Sequence, residues 1–309
     1  MSLLDPDTHE HGGSKALAPT ASSTSAGPVV VARYYDDVQW LYNLGWSPGG
    51  THSLHYGLWW DDTRSLADAI VNGDRFIGDK LGVVASDHVL DMGCGVGGTS
   101  VFLAETFGCR VTGITISPVQ RAQATAYAAK RGVGDRVRFE LMDYTAMRFP
   151  DATFTKAFTQ ETSNHALDKH ALLREAHRVL VPGGRYASLD AFEKRPARPG
   201  DEDVRYRRVL NGWPGGDLVS LDRFVAIAKE VGLEIVAQGD VTDRTTRSAH
   251  IIWRRHVVLF PFVRVARLFR LVSAELVRHF EASIEQKDMF GAKDNVLMYG
   301  YFVASKPGG

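Results

Sequence analysis

The segment Val89-Leu90-Asp91-Met92-Gly93-Cys94-Gly95-Val96-Gly97-Gly98-Thr99-Ser100 constrains this chain more than any other. Its aliphatic lead-in reads as a strand buried in a parallel sheet. Four glycines then fall within six positions. Glycine lets the backbone turn sharply and pass close to a ligand, because no Cβ intervenes. Thr99 to Phe107 reads as a helix capped by a Thr or Ser near its start. A strand, a glycine turn and a helix N-terminus make a nucleotide-type pocket at the carboxyl edge of a sheet.

Gly93, Gly95 and Gly98 satisfy the spacing of a dinucleotide loop. That reading wants an acid about 20 residues further on to hold a ribose. The next strand, Arg110 to Thr115 with Ser117-Pro118 after it, ends without one. The acid lies before the glycines instead, at Asp91, where it faces the loop and meets a cationic or amine-bearing ligand. S-adenosylmethionine (SAM) has a sulfonium, an ammonium and a ribose but no phosphate, so it fits this loop better than a dinucleotide does.

Val89 through Gln123, with Gly113-Ile114-Thr115-Ile116-Ser117-Pro118-Val119-Gln120, resembles the class I SAM-dependent methyltransferases. It is similar in particular to the sterol and γ-tocopherol C-methyltransferase branch, which includes prenyl diphosphate and terpenoid C-methyltransferases. The resemblance runs from about residue 34 to the C-terminus. It implies an α/β, Rossmann-like fold with a mostly parallel seven-stranded sheet, a helical cap and an N-terminal helical addition. The expected division is a disordered tail over 1–28, an aromatic lid over 29–80 and a cofactor-binding core over 81–190. Residues 191–309 would hold cap insertions and the strands that complete the sheet. The tail is rich in Ser, Gly, Ala and Thr and lacks the apolar surface to offset its chain entropy.

The expected cofactor contacts are Asp91, Gly93, Cys94 and Gly95 in the first loop. Thr115, Ser117 and Gln120 stand where the commoner pattern has a ribose-binding acid, and the tocopherol-like branch is also neutral there. Asp143, just past the third strand, can accept the adenine amino group with Tyr144 against the ring. The alternative for Asp143 is a side chain that caps a turn. Gln160 ends the fourth strand, followed by Glu161, Thr162, Ser163, Asn164 and His165.

Ligands of open parallel sheets sit outside the carboxyl ends of the strands, so Glu161 is aimed near the transferred methyl. Methylation of an alkene carbon leaves a carbocation. Aromatic faces stabilise such a cation by roughly 0.5–2 kcal/mol per contact. A carboxylate adds counter-charge and removes the closing proton. For a hydroxyl or amine acceptor, Glu161 or His165 would instead take that group's proton. A structural role for Glu161, paired with Lys169 or Arg174, is the competing reading. The resemblance favours Glu161, His165 and Tyr35 as catalytic and His55 and Tyr56 as substrate-facing. The leading expectation is carbon methylation of an isoprenoid or prenylated molecule in secondary metabolism. The alternative is O- or N-methylation of a phenolic or alkaloid product.

Between Thr242 and Arg270 the only acid is Asp243, while arginines and apolar residues alternate. This stretch reads as an amphipathic helix pair or a subunit interface. It also reads as an anion site for a diphosphate, with Trp253, Arg254 and Arg255 facing substrate. Magnesium enters only if the acceptor carries a diphosphate. Val296 to Ala304 is expected as the antiparallel edge strand.

The chain has 309 residues with 36 basic and 36 acidic side chains. That balance gives no reason to expect nucleic acid as a partner. Its two cysteines, Cys94 and Cys109, have no metal-binding spacing. No run of about 18 apolar residues exists for a membrane span, and without a basic-then-apolar pattern near residue 1 no signal peptide is expected. The expected location is the cytoplasm and the expected assembly a homo-oligomer acting on an apolar small molecule.

Overall fold

A computed structural model of the chain describes residues 31, 50–213, 218–290 and 294–308. The expected tail over 1–28 and most of the aromatic segment before residue 50 lie outside the described residues.

Helix α1 (Leu66–Leu81) opens with the capping box of Ser65 and Asp68 and ends on left-handed Gly82. Ala69, Ile70, Gly73, Asp74, Ile77, Gly78 and Leu81 are its buried positions. They follow the 3.6-residue period of a core-facing helix, with one acid among them. Then come β1 (His88–Met92), α2 (Gly98–Phe107), β2 (Arg110–Thr115), α3 (Pro118–Lys130), β3 (Val137–Leu141) and β4 (Phe154–Gln160). A short 3₁₀ turn at Ser163–His165 leads into α4 (Lys169–Val179). Strand β5 (Leu180–Glu193), α5 (Asp201–Gly212), α6 (Leu221–Glu230) and β6 (Glu234–Asp240) follow. Two long helices, α7 (Thr242–Leu268) and α8 (Ala274–Phe290), precede the last strand, β7 (Leu297–Ser305).

The seven strands form one sheet in the order β3-β2-β1-β4-β5-β7-β6. Strands β1 to β5 run parallel, and β7 is antiparallel to both β5 and β6. Side chains of β1 alternate between two apolar clusters. Val89 belongs to the cluster that holds Leu81, Val101 and Tyr299, while Leu90 and Met92 belong to the one that holds Leu172 and Phe224. Both faces of the sheet are therefore covered, as parallel strands require.

The structure corrects the sequence reading in several places. Strand β7 lies inside the sheet, and the edge strand is β6. Every second residue of β6, from Glu234 to Asp240, is exposed, whereas most of the apolar run Leu297–Ala304 is buried. The residue at the N-cap of α2 is left-handed Gly97 with no side-chain cap. Thr99 and Ser100 spend their hydroxyls on buried acids instead. Among the described residues, no helix is long and apolar enough to cross a membrane.

Candidate active site

A cavity of about 410 Å³ opens at the carboxyl ends of β1, β2 and β4, beside the glycine loop. Asp91, Gly93, Cys94 and Gly95 line it from the first loop. Thr115 and Gln120 line it from β2 and α3, and Asp143 and Tyr144 from beyond β3. Gln160, Glu161 and His165 close it from the end of β4, and His55 from the segment before α1. Tyr56, Ser117, Trp253, Arg254 and Arg255 are not among its lining residues. Tyr35 lies outside the described residues.

The residues off the lining have structural positions. Ser117 is the buried N-cap of α3, accepting from the Gln120 amide at 3.1 Å. The Tyr56 ring packs edge-on against Tyr299, and its hydroxyl donates to Gln286. Trp253 carries the Lys287 ammonium over its ring at 4.1 Å, and Arg254 and Arg255 are exposed on α7. Among the described lining residues there is no lysine or arginine, while four are acids: Asp91, Asp143, Glu161 and Asp168.

The glycine loop crosses over β2, where the Cys94 amide donates to the Ile114 carbonyl at 2.9 Å. Gly93 has φ +124°, and a Cβ there would stand 2.5 Å from Thr162 Cγ2. The Thr162 hydroxyl in turn donates to the Met92 carbonyl at 2.9 Å. The strand ends that bear Asp91 and Glu161 are thereby locked together, and only glycine fits between them.

Asp91 is buried, and one oxygen accepts from the Ser100 hydroxyl at 2.7 Å. Burial pushes its carboxyl up to about 7. Asp143 Oδ1 accepts from both the amide and the hydroxyl of Thr145, at 2.8 and 2.7 Å. The turn-capping reading of Asp143 thus holds alongside its place in the cavity wall.

Glu161 follows β4 with φ +52°, a left-handed backbone unusual for a residue with a side chain. Its amide donates to the Leu189 carbonyl. Its Oε1 accepts from the Tyr56 amide at 2.6 Å and from the Tyr299 hydroxyl at 2.7 Å. Burial pushes the carboxyl up to about 7, although His55 and both donors favour its charged form. Neither Lys169 nor Arg174 pairs with it. The Lys169 ammonium donates to the carbonyls of Ser163, Asn164 and Ala166, and Arg174 lies 3.8 Å from Asp168. Asp190, at the end of β5, accepts from the amide and hydroxyl of Ser163 and from Asn164. Those bonds fix the turn that carries His165.

Another buried acid, Asp74 of α1, escaped the sequence reading. Its carboxylate accepts from the hydroxyls of Thr99 at 2.7 Å and Ser53 at 3.0 Å, and it pairs with His55 Nε2 at 2.8 Å. His55 Nδ1 donates to the Tyr56 carbonyl at 2.9 Å. Burial is the largest single influence and depresses His55, but Asp74 and Glu161 together raise it above the ordinary imidazole value. Gly73 leaves the room: a Cβ there would sit 2.7 Å from His55 Cε1. The signal was present in the sequence, as an acid on the apolar stripe of an otherwise amphipathic helix.

These residues fit SAM. Gln160 presents a buried side-chain N–H without a partner to the cavity. The left-handed glycines Gly93 and Gly95 leave the floor bare of side chains, and the acids suit a sulfonium and an ammonium.

A family profile described as a methyltransferase domain matches residues 89–184. The chain is similar over 285 residues to 27-O-demethylrifamycin SV methyltransferase of Amycolatopsis mediterranei (strain S699), at 32% identity, covering 92% of this chain and 99% of that enzyme. It is also 32% identical over 215 residues to sterol 24-C-methyltransferase of Eremothecium gossypii, covering 68% of this chain. The chain spans just over half, 56%, of that enzyme's length. The fold matches the crystal structure of the [4+2]-cyclase SpnF with a TM-score of 0.76 at 23% identity, covering 92% and 98% of the two chains. Profile, full-length relative and site geometry agree: the chain belongs to the class I SAM-dependent methyltransferases.

Proposed function

We propose that the chain methylates a hydroxyl oxygen on a neutral, largely apolar natural product of secondary metabolism. The observation that carries this reading is the half-buried Glu161 carboxyl, which lines the cavity with Oε1 held by the Tyr56 amide and the Tyr299 hydroxyl and is pushed up to about 7 by desolvation. A base matched to neutral pH works efficiently in proton transfer. Bound SAM supplies an electrophilic methyl group on a sulfonium.

The chain's own residues do the rest. Asp91 and the glycine loop hold the amino-acid and ribose end, and Gln120 and Asp143 hold the nucleoside. Two donors orient Glu161 Oε1, which leaves Oε2 to accept the proton of the acceptor hydroxyl. His165, which lines the same cavity, is the second group able to take it. His55, itself raised by Asp74 and Glu161, favours the charged form of Glu161 against the effect of burial.

An acceptor bearing a diphosphate is disfavoured. It would meet four carboxyls and no described basic side chain but histidine in the lining, and among the described residues no cluster suits a metal ion. The full-length relative, whose name describes methylation at an oxygen, supports the hydroxyl acceptor. A second reading is carbon methylation of an isoprenoid alkene, with Glu161 removing the closing proton. The sterol 24-C-methyltransferase similarity favours it.

One experiment separates the two. An apolar extract of the producing cells is split, and the hydroxyls of one half are acetylated. Both halves are incubated with the protein and methyl-labelled SAM. Label in the untreated half alone supports oxygen methylation. Label in both halves favours carbon, and label in neither overturns the acceptor class.

A further inference from the structure

Val258, Phe262, Val265 and Phe269 follow one another at spacings of four, three and four residues. That spacing puts them on one side of α7 and its C-terminal turn. They are 67, 70, 53 and 72% exposed, and exposed Leu268 and Leu271 extend the patch around the helix end. The opposite side of the helix is the packed one: Phe260 and Val263 lie against Leu276 and Phe280 of α8. The outward apolar side is therefore additional to what the fold requires, and contiguous patches of this kind mark interaction surfaces.

Charge identifies the occupant. Arg254, Arg255, Arg264, Arg267 and Arg270 share this stretch, and no Asp or Glu occurs from residue 244 to 274. The whole chain balances 36 basic against 36 acidic side chains, so the local excess is specific to this helix. Bulky apolar residues among arginines are the composition of a helix that lies in a membrane interface. A second copy of the chain fits worse, because a two-fold contact would set arginines against arginines with no acid between them.

We propose that the outer side of α7, from Val258 to Leu271, docks on an anionic lipid surface. The protein lies on the bilayer and does not span it. The N-terminal half of the same helix is tied to the segment that follows the cavity-lining His55, where the Ser248 hydroxyl bonds the Gly57 backbone and accepts from Trp59 Nε1. Docking thus holds the site against the phase in which apolar molecules concentrate. It stands independently of which acceptor atom is methylated.

The test is co-sedimentation of the full chain with vesicles of phosphatidylcholine alone and of phosphatidylcholine mixed equally with phosphatidylglycerol. The protein is expected to sediment with the mixed vesicles, to remain free with phosphatidylcholine alone, and to be released by raised salt. The triple variant Val258→Ser, Phe262→Ser, Phe269→Ser is expected to lose about a hundredfold in vesicle affinity. A second variant, Arg254→Gln with Arg255→Gln, removes the two exposed charges that flank the apolar side and is expected to lose the preference for phosphatidylglycerol. Unchanged SAM binding by calorimetry shows that each variant is folded. Absence of sedimentation with the mixed vesicles overturns the proposal, as does wild-type vesicle affinity in the triple variant. A dimer in sedimentation velocity that the triple variant abolishes, without vesicle binding, assigns the patch to a second copy and also overturns it.

Discussion

The Tyr299 hydroxyl donates to Glu161 Oε1 at 2.7 Å, joining the last strand of the chain to the end of β4. These residues are 138 positions apart, and the bond exists because β7 returns antiparallel beside β5. A donor to a carboxylate favours its charged form. Tyr299→Phe is therefore expected to move the rising limb of the pH–rate profile upward from about 7. At neutral pH, kcat falls by up to about tenfold for each unit of that movement, while the KM for SAM stays unchanged. An unmoved profile would show that Glu161 is not the titrating base.

Asp91 carries a second prediction. Its carboxyl is raised to about 7 by burial, so it gains a proton as pH falls through neutrality. SAM affinity is expected to weaken below that pH. Asp91→Asn keeps the acceptor for Ser100 and loses the charge, and its SAM affinity is expected to fall about tenfold to a hundredfold. Calorimetry across pH 6 to 8 on both proteins (about one unit on either side of the transition) checks both statements. The variant should show a flatter pH dependence.

The buried pair of His55 and Asp74 makes a stability prediction with a definite sign. The folded pKa of His55 lies above its ordinary value of 6.5. Its contribution is thus fully present below pH 6.5 and is lost as pH rises through the folded value. Removing one partner of a buried ion pair costs about 3–5 kcal/mol. Asp74→Asn, which keeps the side chain's shape, is expected at or below the lower end of that range. Urea unfolding should show the deficit largest in acid and narrowing in base. A deficit independent of pH would mean that His55 is neutral.

Gly93→Ala tests the floor of the site. The added methyl meets Thr162 Cγ2 at 2.5 Å, on a backbone with φ +124°. Thr162 must move, and its bond to the Met92 carbonyl goes with it. SAM affinity is expected to fall by more than about tenfold. Calorimetric binding within twofold of the wild type would show that the loop tolerates a side chain there.

Much of this was legible in the residues because it is local. The glycine loop and the acid after β4 are short-range patterns that name their own structure. The edge of the sheet was misassigned although its signal was present. The apolar run Leu297–Ala304 has the continuous pattern of an interior strand, whereas Glu234–Asp240 carries the polar side chains Glu234, Gln238 and Asp240 that an edge accommodates. Tyr56 was read as facing substrate, yet it supplies a backbone amide to Glu161 and turns its ring toward Tyr299. No local pattern encodes that contact, because it depends on chain segments more than 100 residues apart. Asp74 sits between these cases, as an acid on an apolar stripe whose partners, Thr99 and His55, only the tertiary structure brings to it.

The most direct measurement is a single-turnover assay of Glu161→Gln with labelled SAM, paired with calorimetry of cofactor binding. Glutamine keeps an oxygen for the Tyr56 amide and the Tyr299 hydroxyl but cannot take up the acceptor's proton. Cofactor affinity within about threefold of the wild type, with methyl transfer slowed by about a hundredfold or more, is the predicted result. Intact binding with transfer at a near-wild-type rate would contradict the account, because the acceptor's proton would then leave by another route.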